Sequence, residues 1–318
     1  MPDYDQLLDA EIKAFVEKTG RFYPPETASF SIRKQREVYD AMCRSFYAGR
    51  PENVRTQDFR EDGLALRLYQ NAEQAPVAAV LYLHGGGFVV GGLDSHDDIC
   101  AEICGATGFD VVAVDYRLCP EHPHPAAFED GQTALGWLRR RGAGRIVLAG
   151  DSAGANLAAA LAHSSREQAD IAGQVLFYPG LGGDHDEGSC ITHADAPMLT
   201  RGDLEFYEAL RPAGRDVSQD ATFAPLRDVD FSGLPPTLAL GAECDPLADD
   251  APAYGAAICA AGGQAVALVE KGLVHGHLRA RHSSWRAARS FARGLRAIVA
   301  MGEGRPIGPD GPGDDTAA

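Results

Sequence analysis

Residues 145–158, RIVLAGDSAGANLA, are the most informative part of the sequence about how the chain folds. It begins as an apolar run typical of a buried strand and ends in an alanine-rich segment typical of a helix, with GDSAG (residues 150–154) at the junction. The small residues of a G-x-S-x-G pattern allow a sharp strand-to-helix turn that lifts the serine hydroxyl above the edge of a sheet. The stretch therefore predicts a nucleophile at Ser152. The alternative is a tight turn in which this serine only caps the helix.

Strand-like and helix-like stretches alternate on both sides of this junction. The predicted strands are Leu64–Tyr69, Val77–Leu83, Asp110–Asp115, Arg145–Leu148, Gln174–Tyr178, Thr237–Leu240 and Ala265–Val269. Helical patterns lie at about 125–141, 153–163, 250–261 and 284–299. Such alternation predicts an α/β fold with a mostly parallel central sheet and helices on both of its faces. The partial alternation of Leu64–Tyr69 predicts an edge strand.

Two stretches do not follow this alternation. Residues 1–50 look helical and precede the first predicted strand, and residues near 181–225 form a long connection with one amphipathic piece, Leu204–Leu210. A connection of that length is uncommon unless it is functional, so we expect the two stretches to form a helical cap over one edge of the sheet; the alternative is an unrelated surface decoration. The predicted organisation is an N-terminal cap segment (1–50), a catalytic domain (51–301) with a cap insertion, and a disordered tail (302–318) rich in Gly, Pro and Asp.

A second motif, His84-Gly85-Gly86-Gly87, directly follows the apolar run that ends at Leu83. Glycines let backbone N–H groups point into a cavity with no Cβ in the way, and a transient oxyanion requires such donors. We expect the N–H groups of Gly86, Gly87 and Ala153 to form this oxyanion hole, with Gly85 as a further contributor. The alternatives are a flexible loop or a phosphate cradle, but the residues that usually follow a phosphate loop are missing.

A serine nucleophile also requires a base that a carboxylate orients. Acidic side chains and histidines follow the two last predicted strands, so both groups can return to the edge of the sheet that holds the serine. We expect Asp245 to be the acid and His275 the base. Glu243, closer to its strand end, is the weaker candidate acid. His277 is expected to line the pocket wall, and His282 to lie on the surface or at the start of the last helix.

Charge and composition exclude several classes of partner. The net charge of −16 disfavours contact with phosphate backbones, so we expect no nucleic acid to bind. The longest apolar runs are far too short for a membrane span. The first 20 residues do not resemble a secretion signal, and the seven cysteines are scattered, which together predict a cytoplasmic protein.

Metal binding is also disfavoured by the sequence. Two H-x-H pairs, His122 with His124 and His275 with His277, lie in Pro- or Gly-containing loops. No carboxylate or cysteine completes either pair at a familiar spacing. We therefore predict that the protein holds no metal.

Five segments in order resemble the hormone-sensitive-lipase-like branch of the α/β-hydrolases, the bacterial acetyl esterases and carboxylesterases. They are HGGGF (84–88), DYRLCPEHPHPAAFED (115–130), GDSAGANLA (150–158), DPLADD (245–250) and VHG (274–276). The resemblance implies an α/β-hydrolase fold with a helical cap, no cofactor, and a triad of Ser152, Asp245 and His275. It also implies that His84, Phe88, Asp151 and Asn156 surround the nucleophile and its substrate.

The sequence departs from that family at two positions. Cys119 stands where alanine is usual, which we interpret as a packing change. His277 stands where an aromatic residue, usually phenylalanine, follows the catalytic His-Gly, and this change is expected to alter the pocket wall and the acyl preference.

The resemblance implies a serine carboxylesterase whose partner is a small-molecule ester of short to medium acyl length. Acetylhydrolase, lactonase, and aryl formamidase or amidase activities use the same chemistry and stay open as alternatives. A non-catalytic ligand receptor on this fold is disfavoured because His275 is present. Relatives are commonly dimers, so the resemblance also allows a homodimer.

Overall fold

The computed structural model describes residues 2–166 and 168–308 and contains one eight-stranded sheet in the order β1-β2-β4-β3-β5-β6-β7-β8. The strands are β1 (Val54–Glu61), β2 (Leu64–Asn71), β3 (Ala79–Leu83), β4 (Asp110–Val114), β5 (Ile146–Asp151), β6 (Ile171–Phe177), β7 (Thr237–Cys244) and β8 (Ala265–Val274). The α-helices are α1 (Tyr4–Leu7), α2 (Ala10–Gly20), α3 (Ile32–Phe46), α4 (Asp97–Thr107), α5 (Ala126–Arg140), α6 (Ala153–Ser164), α7 (Gly188–Thr192), α8 (Arg201–Leu210), α9 (Asp250–Ala260) and α10 (Trp285–Gly302). Most of the predicted tail, residues 309–318, lies outside the described residues.

The sheet is antiparallel at one side and parallel through the rest. β1 pairs with β2 and β2 with β4 in antiparallel fashion, whereas β4, β3, β5, β6, β7 and β8 are all parallel. Because parallel strands end at the same edge, the residues that follow β5, β7 and β8 meet there. These residues are Ser152, Asp245 and His275. The predicted fold class, a mostly parallel sheet with helices, is confirmed.

Apolar side chains cover both faces of the sheet. One buried cluster joins one face to side chains of α5, α6 and α9, and includes Leu81, Leu148 and Leu161. The other joins the opposite face to side chains of α2, α4 and α10, and includes Val147 and Phe291. Every residue of β3, β4 and β5 is buried, which explains why these strands read as continuous apolar runs.

Two features of the fold differ from the sequence prediction. The edge strand is β1, and Leu64–Tyr69 lies within β2, which has neighbours on both sides. The sequence of β1, VRTQDFRE, is largely polar and only partly buried, so it has no apolar run that would reveal a strand. Helix α4 was also missed, because almost every residue from Asp97 to Cys104 is buried and its sequence shows no contrast between a polar and an apolar face. No helix in the described part of the chain is long and apolar enough to cross a membrane.

Candidate active site

Ser152 occupies the sharp turn between β5 and α6. Its backbone has φ 53° and ψ −119°, a strained conformation for a residue with a side chain. The turn also needs glycine at both flanks: a Cβ at Gly150 would collide with the backbone of Gly154, and one at Gly154 would collide with the backbone of Leu83. The backbone segments on either side of the serine approach each other too closely for side chains, which explains why the G-x-S-x-G pattern has glycine at both positions.

A chain of hydrogen bonds links Ser152, His275 and Asp245. His275 Nε2 lies 2.8 Å from Ser152 Oγ, and His275 Nδ1 lies 2.7 Å from Asp245 Oδ2. Because a carboxylate only accepts, Nδ1–H donates to Asp245, and Nε2 is left to accept the proton of the serine hydroxyl. Asp245 is fully buried, and its other oxygen accepts the N–H of Leu247 at 2.9 Å. The alternative acid, Glu243, instead accepts the N–H of Gly272 at 2.7 Å.

Three backbone N–H groups beside the serine have no acceptor among the described residues. They belong to Gly86, Gly87 and Ala153, the last of which is the first residue of α6. Gly86 and Gly87 have φ of 128° and 59°, and a Cβ at Gly87 would lie 2.6 Å from the ring of Tyr207. Open donors at this point can hold a developing oxyanion.

Gly85 does not belong to this set, contrary to the sequence prediction. Its N–H donates to Asp151 Oδ1 at 3.0 Å, so it is already occupied. A Cβ at Gly85 would collide with the same carboxylate. Gly85 therefore fixes the position of the loop rather than offering a donor to substrate.

The Asp151 carboxylate connects the loop at residues 84–87 to the turn that holds Ser152. Besides Gly85, its carboxylate accepts the hydroxyls of Tyr82 at 2.8 Å and Tyr178 at 3.2 Å. Burial opposes its ionisation, but the neighbouring His96 and Arg279 outweigh burial and hold the pKa of Asp151 well below its usual range. Asp151 is thus an ionised anchor whose oxygens are used within the protein, rather than a group that binds substrate.

Phe88 and Asn156 lie on the wall of the cavity that Ser152 faces. The Asn156 side chain donates to the carbonyls of Gly180 at 2.8 Å and Phe223 at 3.1 Å. These bonds attach the first turns of α6 to the insertion near 181–225. The Phe88 ring lies under the guanidinium of Arg211, with Cζ 3.6 Å from the ring centroid.

The cavity has a volume of about 750 Å³ and contains both Ser152 and His275 in its wall. The N-terminal segment lines it with Val16, Tyr23 and Tyr39, among others, and the insertion lines it with Met198, Leu204 and Tyr207, among others. Residues from the sheet edge and from both irregular stretches therefore enclose one space.

His84 and His277 do not line this cavity, which corrects their predicted place in the substrate-binding set. The His84 ring stacks on Tyr116, with centroids 4.1 Å apart, and burial lowers its pKa to about 3. His277 is fully buried between the carbonyl of Val274, at 3.0 Å from Nδ1, and the hydroxyl of Ser290, at 3.1 Å from Nε2. Both histidines belong to the interior of the fold.

Replacing His277 with glutamine should make the fold less sensitive to acid. Burial lowers the His277 pKa from 6.5 to about 4, so the folded state keeps the ring neutral while the unfolded chain takes up a proton below pH 6.5. Stability from this group is therefore present above pH 6.5 and is lost as pH falls towards 4. We expect the wild type to lose about 2 kcal/mol more unfolding free energy than His277→Gln between pH 7 and pH 4.5, measured by urea titration. Equal losses in the two proteins would contradict this role.

Several site residues escaped the sequence analysis. Tyr178, directly after β6, has its ring 4.9 Å from that of His275 and donates to Asp151. Arg279, four residues after the histidine, is buried in the cavity wall, and Arg211 follows α8. Only Tyr178 carried a signal, namely its place at the end of a strand that neighbours β5.

Metal-binding patterns are not found in the part of the chain that the structure describes. No three His, Cys, Asp or Glu side chains among those residues are grouped to hold an ion. His124 instead faces Asp220, with Nε2 and Oδ2 3.0 Å apart.

Comparison with known proteins identifies the family. A family model described as an alpha/beta hydrolase fold matches residues 80–279. The chain belongs to the α/β-hydrolase family and, within it, to the hormone-sensitive-lipase-like esterases, as the sequence predicted.

Individual relatives are similar over most of the chain. Carboxylesterase NlhH of Mycobacterium tuberculosis is 40% identical over 235 residues, which cover 69% of this chain and 72% of that protein. Ethyl acetate hydrolase of Pseudomonas putida is 37% identical over 231 residues, covering 68% and 72%. Among solved structures, a hyperthermophilic esterase from Pyrobaculum calidifontis superimposes with a TM-score of 0.85 at 28% identity and covers 92% of this chain and 98% of its own. An esterase of the bacterial hormone-sensitive lipase family gives 0.84 at 26% identity, covering 95% and 99%.

Proposed function

We propose that this carboxylic ester hydrolase is a serine carboxylesterase that acts on short- to medium-chain acyl esters through Ser152, His275 and Asp245. One observation carries the proposal: the continuous hydrogen-bond chain of 2.8 Å and 2.7 Å from the serine hydroxyl through the imidazole to a buried carboxylate. A serine hydroxyl becomes a useful nucleophile only with such a base beside it. Relatives named as carboxylesterases and as an ethyl acetate hydrolase support the same chemistry.

In the acylation half of the reaction, His275 Nε2 takes the proton of Ser152 as Oγ attacks the ester carbonyl. The N–H groups of Gly86, Gly87 and Ala153 stabilise the tetrahedral oxyanion, and losing one such donor typically costs about 3–4 kcal/mol of barrier. The carbon–oxygen bond to the alcohol then breaks, and the imidazolium returns its proton to the leaving oxygen. Asp245 keeps the imidazole in the reactive tautomer and stabilises its charged form.

In the deacylation half, the same histidine takes a proton from water. The resulting attack on the acyl-enzyme passes through a second oxyanion in the same site. Collapse releases the carboxylic acid and restores the proton to Ser152. No other reactant is required.

We further propose that residues 1–50 and the insertion near 181–225 form a cap on a catalytic domain spanning 51–301. Support comes from the cavity wall, to which both stretches contribute. The ring of Tyr207, from the insertion, packs against Gly87, one of the proposed oxyanion-hole residues. Such a cap limits the length of the acyl chain that the enclosed space accepts.

A panel of p-nitrophenyl esters from acetate to palmitate tests this account. We expect the largest kcat/KM between C2 and C8, because a cavity of about 750 Å³ enclosed by both stretches accommodates short chains. A maximum beyond C12 would overturn the size argument. A γ-lactone and an N-formyl aryl amide in the same panel separate esterase activity from lactonase and formamidase activities, and faster turnover of either would replace carboxylesterase as the assignment.

We also propose a cytoplasmic location and a homodimer. All seven cysteines are free, as in proteins of reducing compartments, which supports a cytoplasmic location. β8 is the last strand of the sheet, and Val269 on it is 39% exposed. Pairing of two such edges would give a homodimer.

A further inference from the structure

Arg211 is a buried cation in the wall of the proposed active-site cavity, and the mechanism above does not use it. The residue follows α8 in the insertion and is only 6% exposed. No acidic side chain among the described residues lies within salt-bridge distance of its guanidinium. Burying a charge without a partner is costly, so an unpaired buried arginine requires an explanation.

Two aromatic rings hold the guanidinium in place. Its Cζ lies 3.6 Å from the centroid of Phe88 and 3.9 Å from that of Phe223. Cation–π contacts with these two rings compensate part of the burial cost of the planar group. The N–H donors of the guanidinium are not used by the rings and stay free to bind an acceptor.

A structural role does not account for these donors. The only acceptor that the described residues give the guanidinium is the carbonyl of Phe223, 3.0 Å from Nη2. That carbonyl already accepts the side-chain amide of Asn156 at 3.1 Å, so it does not depend on the arginine. Nε and Nη1 have no acceptor within the described residues. Burial lowers the pKa of Arg211 to about 10, and the charge of Glu208 offsets only part of this effect. A carboxylate bound directly to the guanidinium would raise the pKa again.

None of the three carboxylates in the cavity wall pairs with Arg211. Asp203 accepts the backbone N–H of Thr200 at 2.9 Å and its hydroxyl at 2.7 Å. The Asp151 carboxylate is saturated by bonds to its own neighbours. Glu208, one turn before Arg211, directs Oε2 to His185 Nδ1 at 3.6 Å. Arg279 adds a second buried positive charge to the same wall, but it is bonded to the carbonyl of Ser95 at 2.8 Å and the hydroxyl of Tyr39 at 3.0 Å.

Arg211 shares the cavity with Ser152, and the residues around its guanidinium neighbour the reacting groups in the chain. Phe88, which stacks on it, directly follows the oxyanion glycines, and Asn156, which shares its carbonyl partner, lies one turn after Ser152. We propose that Arg211 is a specificity-determining residue that binds a carboxylate on the substrate, so that the preferred substrates are monoesters of short dicarboxylic acids. The N–H donors of a guanidinium match the two oxygens of a carboxylate in a bidentate pair.

This inference rests on the proposed esterase function, and matched substrates separate the two. Monoethyl succinate, glutarate and adipate each have a neutral isostere in which an amide replaces the free acid. Release of ethanol at pH 7.5 gives kcat/KM for both members of a pair. For the best pair we expect the wild type to favour the anionic ester by about 10- to 100-fold, the range of a charge-assisted hydrogen bond. The net charge of −16 would by itself disfavour the anion.

Three variants assign the preference to one side chain. In Arg211→Met the anionic-to-neutral ratio should fall to about one or below, and Arg211→Lys should retain part of it. Arg215→Met removes an exposed charge four residues away, outside this cavity, and should keep the wild-type ratio. Because the readout is a ratio within each protein, a general loss of activity cancels.

Two results would overturn the inference. A ratio at or below one in the wild type for all three chain lengths, with neutral esters still hydrolysed, refutes it and leaves the esterase function standing. That measurement needs no variant, so it holds even where Arg211→Met fails to fold. Absence of hydrolysis with every ester, neutral ones included, removes the proposed function and this inference with it.

Discussion

Ser152→Ala lowers kcat for p-nitrophenyl butyrate by about 10⁴-fold or more. The expectation follows from the geometry, because the hydroxyl that His275 accepts at 2.8 Å is the only atom of the proposed chain that can form an acyl-enzyme. Loss of the nucleophile alone typically removes as much rate as loss of a whole triad. Initial rates of p-nitrophenol release at saturating ester measure the effect.

A matched control separates this loss from damage to helix α6. Ser164, the last residue of the same helix, is exposed, and its hydroxyl only donates to the carbonyl of Leu161 at 2.9 Å. Ser164→Ala should keep kcat within about twofold of the wild type. Substantial activity in Ser152→Ala, with the control also active, would refute the nucleophile assignment.

Asp245→Asn is expected to lower kcat by about 10⁴-fold at neutral pH, the second large effect. An amide can donate to His275 Nδ1 and so stabilise the tautomer that carries its proton on Nε2, where it cannot accept from the serine. Because Asp245 is fully buried, no water can take over the role of its carboxylate. Rates from pH 6 to pH 9 with p-nitrophenyl butyrate test this, and the fold should be verified by circular dichroism.

Glu243→Gln is the control for this assignment. Glu243 lies two residues earlier in the chain and has the same charge, but it bonds to the backbone of β8 rather than to the imidazole. Activity within about threefold of the wild type is expected. If Glu243→Gln were the inactive variant and Asp245→Asn the active one, the acid of the triad would be misassigned.

The sequence could predict which residues follow the parallel strands, because their positions depend on the topology of the sheet. Three strands that read as β-rich runs, β5, β7 and β8, deliver Ser152, Asp245 and His275 to one edge of the sheet. The glycines around the serine are needed for local backbone approach, and such a requirement leaves a readable motif. The polar edge strand β1 and helix α4 left no such pattern.

Side-chain direction was the part that the sequence could not predict. His277 differs from the usual aromatic residue of the family, and its neighbourhood suggested the pocket, yet it points into the interior towards Ser290. Gly85 belongs to the same motif as Gly86 and Gly87, but its N–H is used by a carboxylate 66 residues away in the chain. Arg211 and Arg279 come from segments without a motif, and only the folded chain brings them to the cavity.

The most direct test of the central claim is covalent labelling with diethyl p-nitrophenyl phosphate followed by intact-mass and peptide analysis. We expect one diethylphosphoryl group per chain, located on Ser152, with loss of ester hydrolysis in proportion to labelling and little labelling in His275→Ala. An unlabelled Ser152 in a protein that still hydrolyses esters, or labelling at a different serine that accounts for the inactivation, would contradict it.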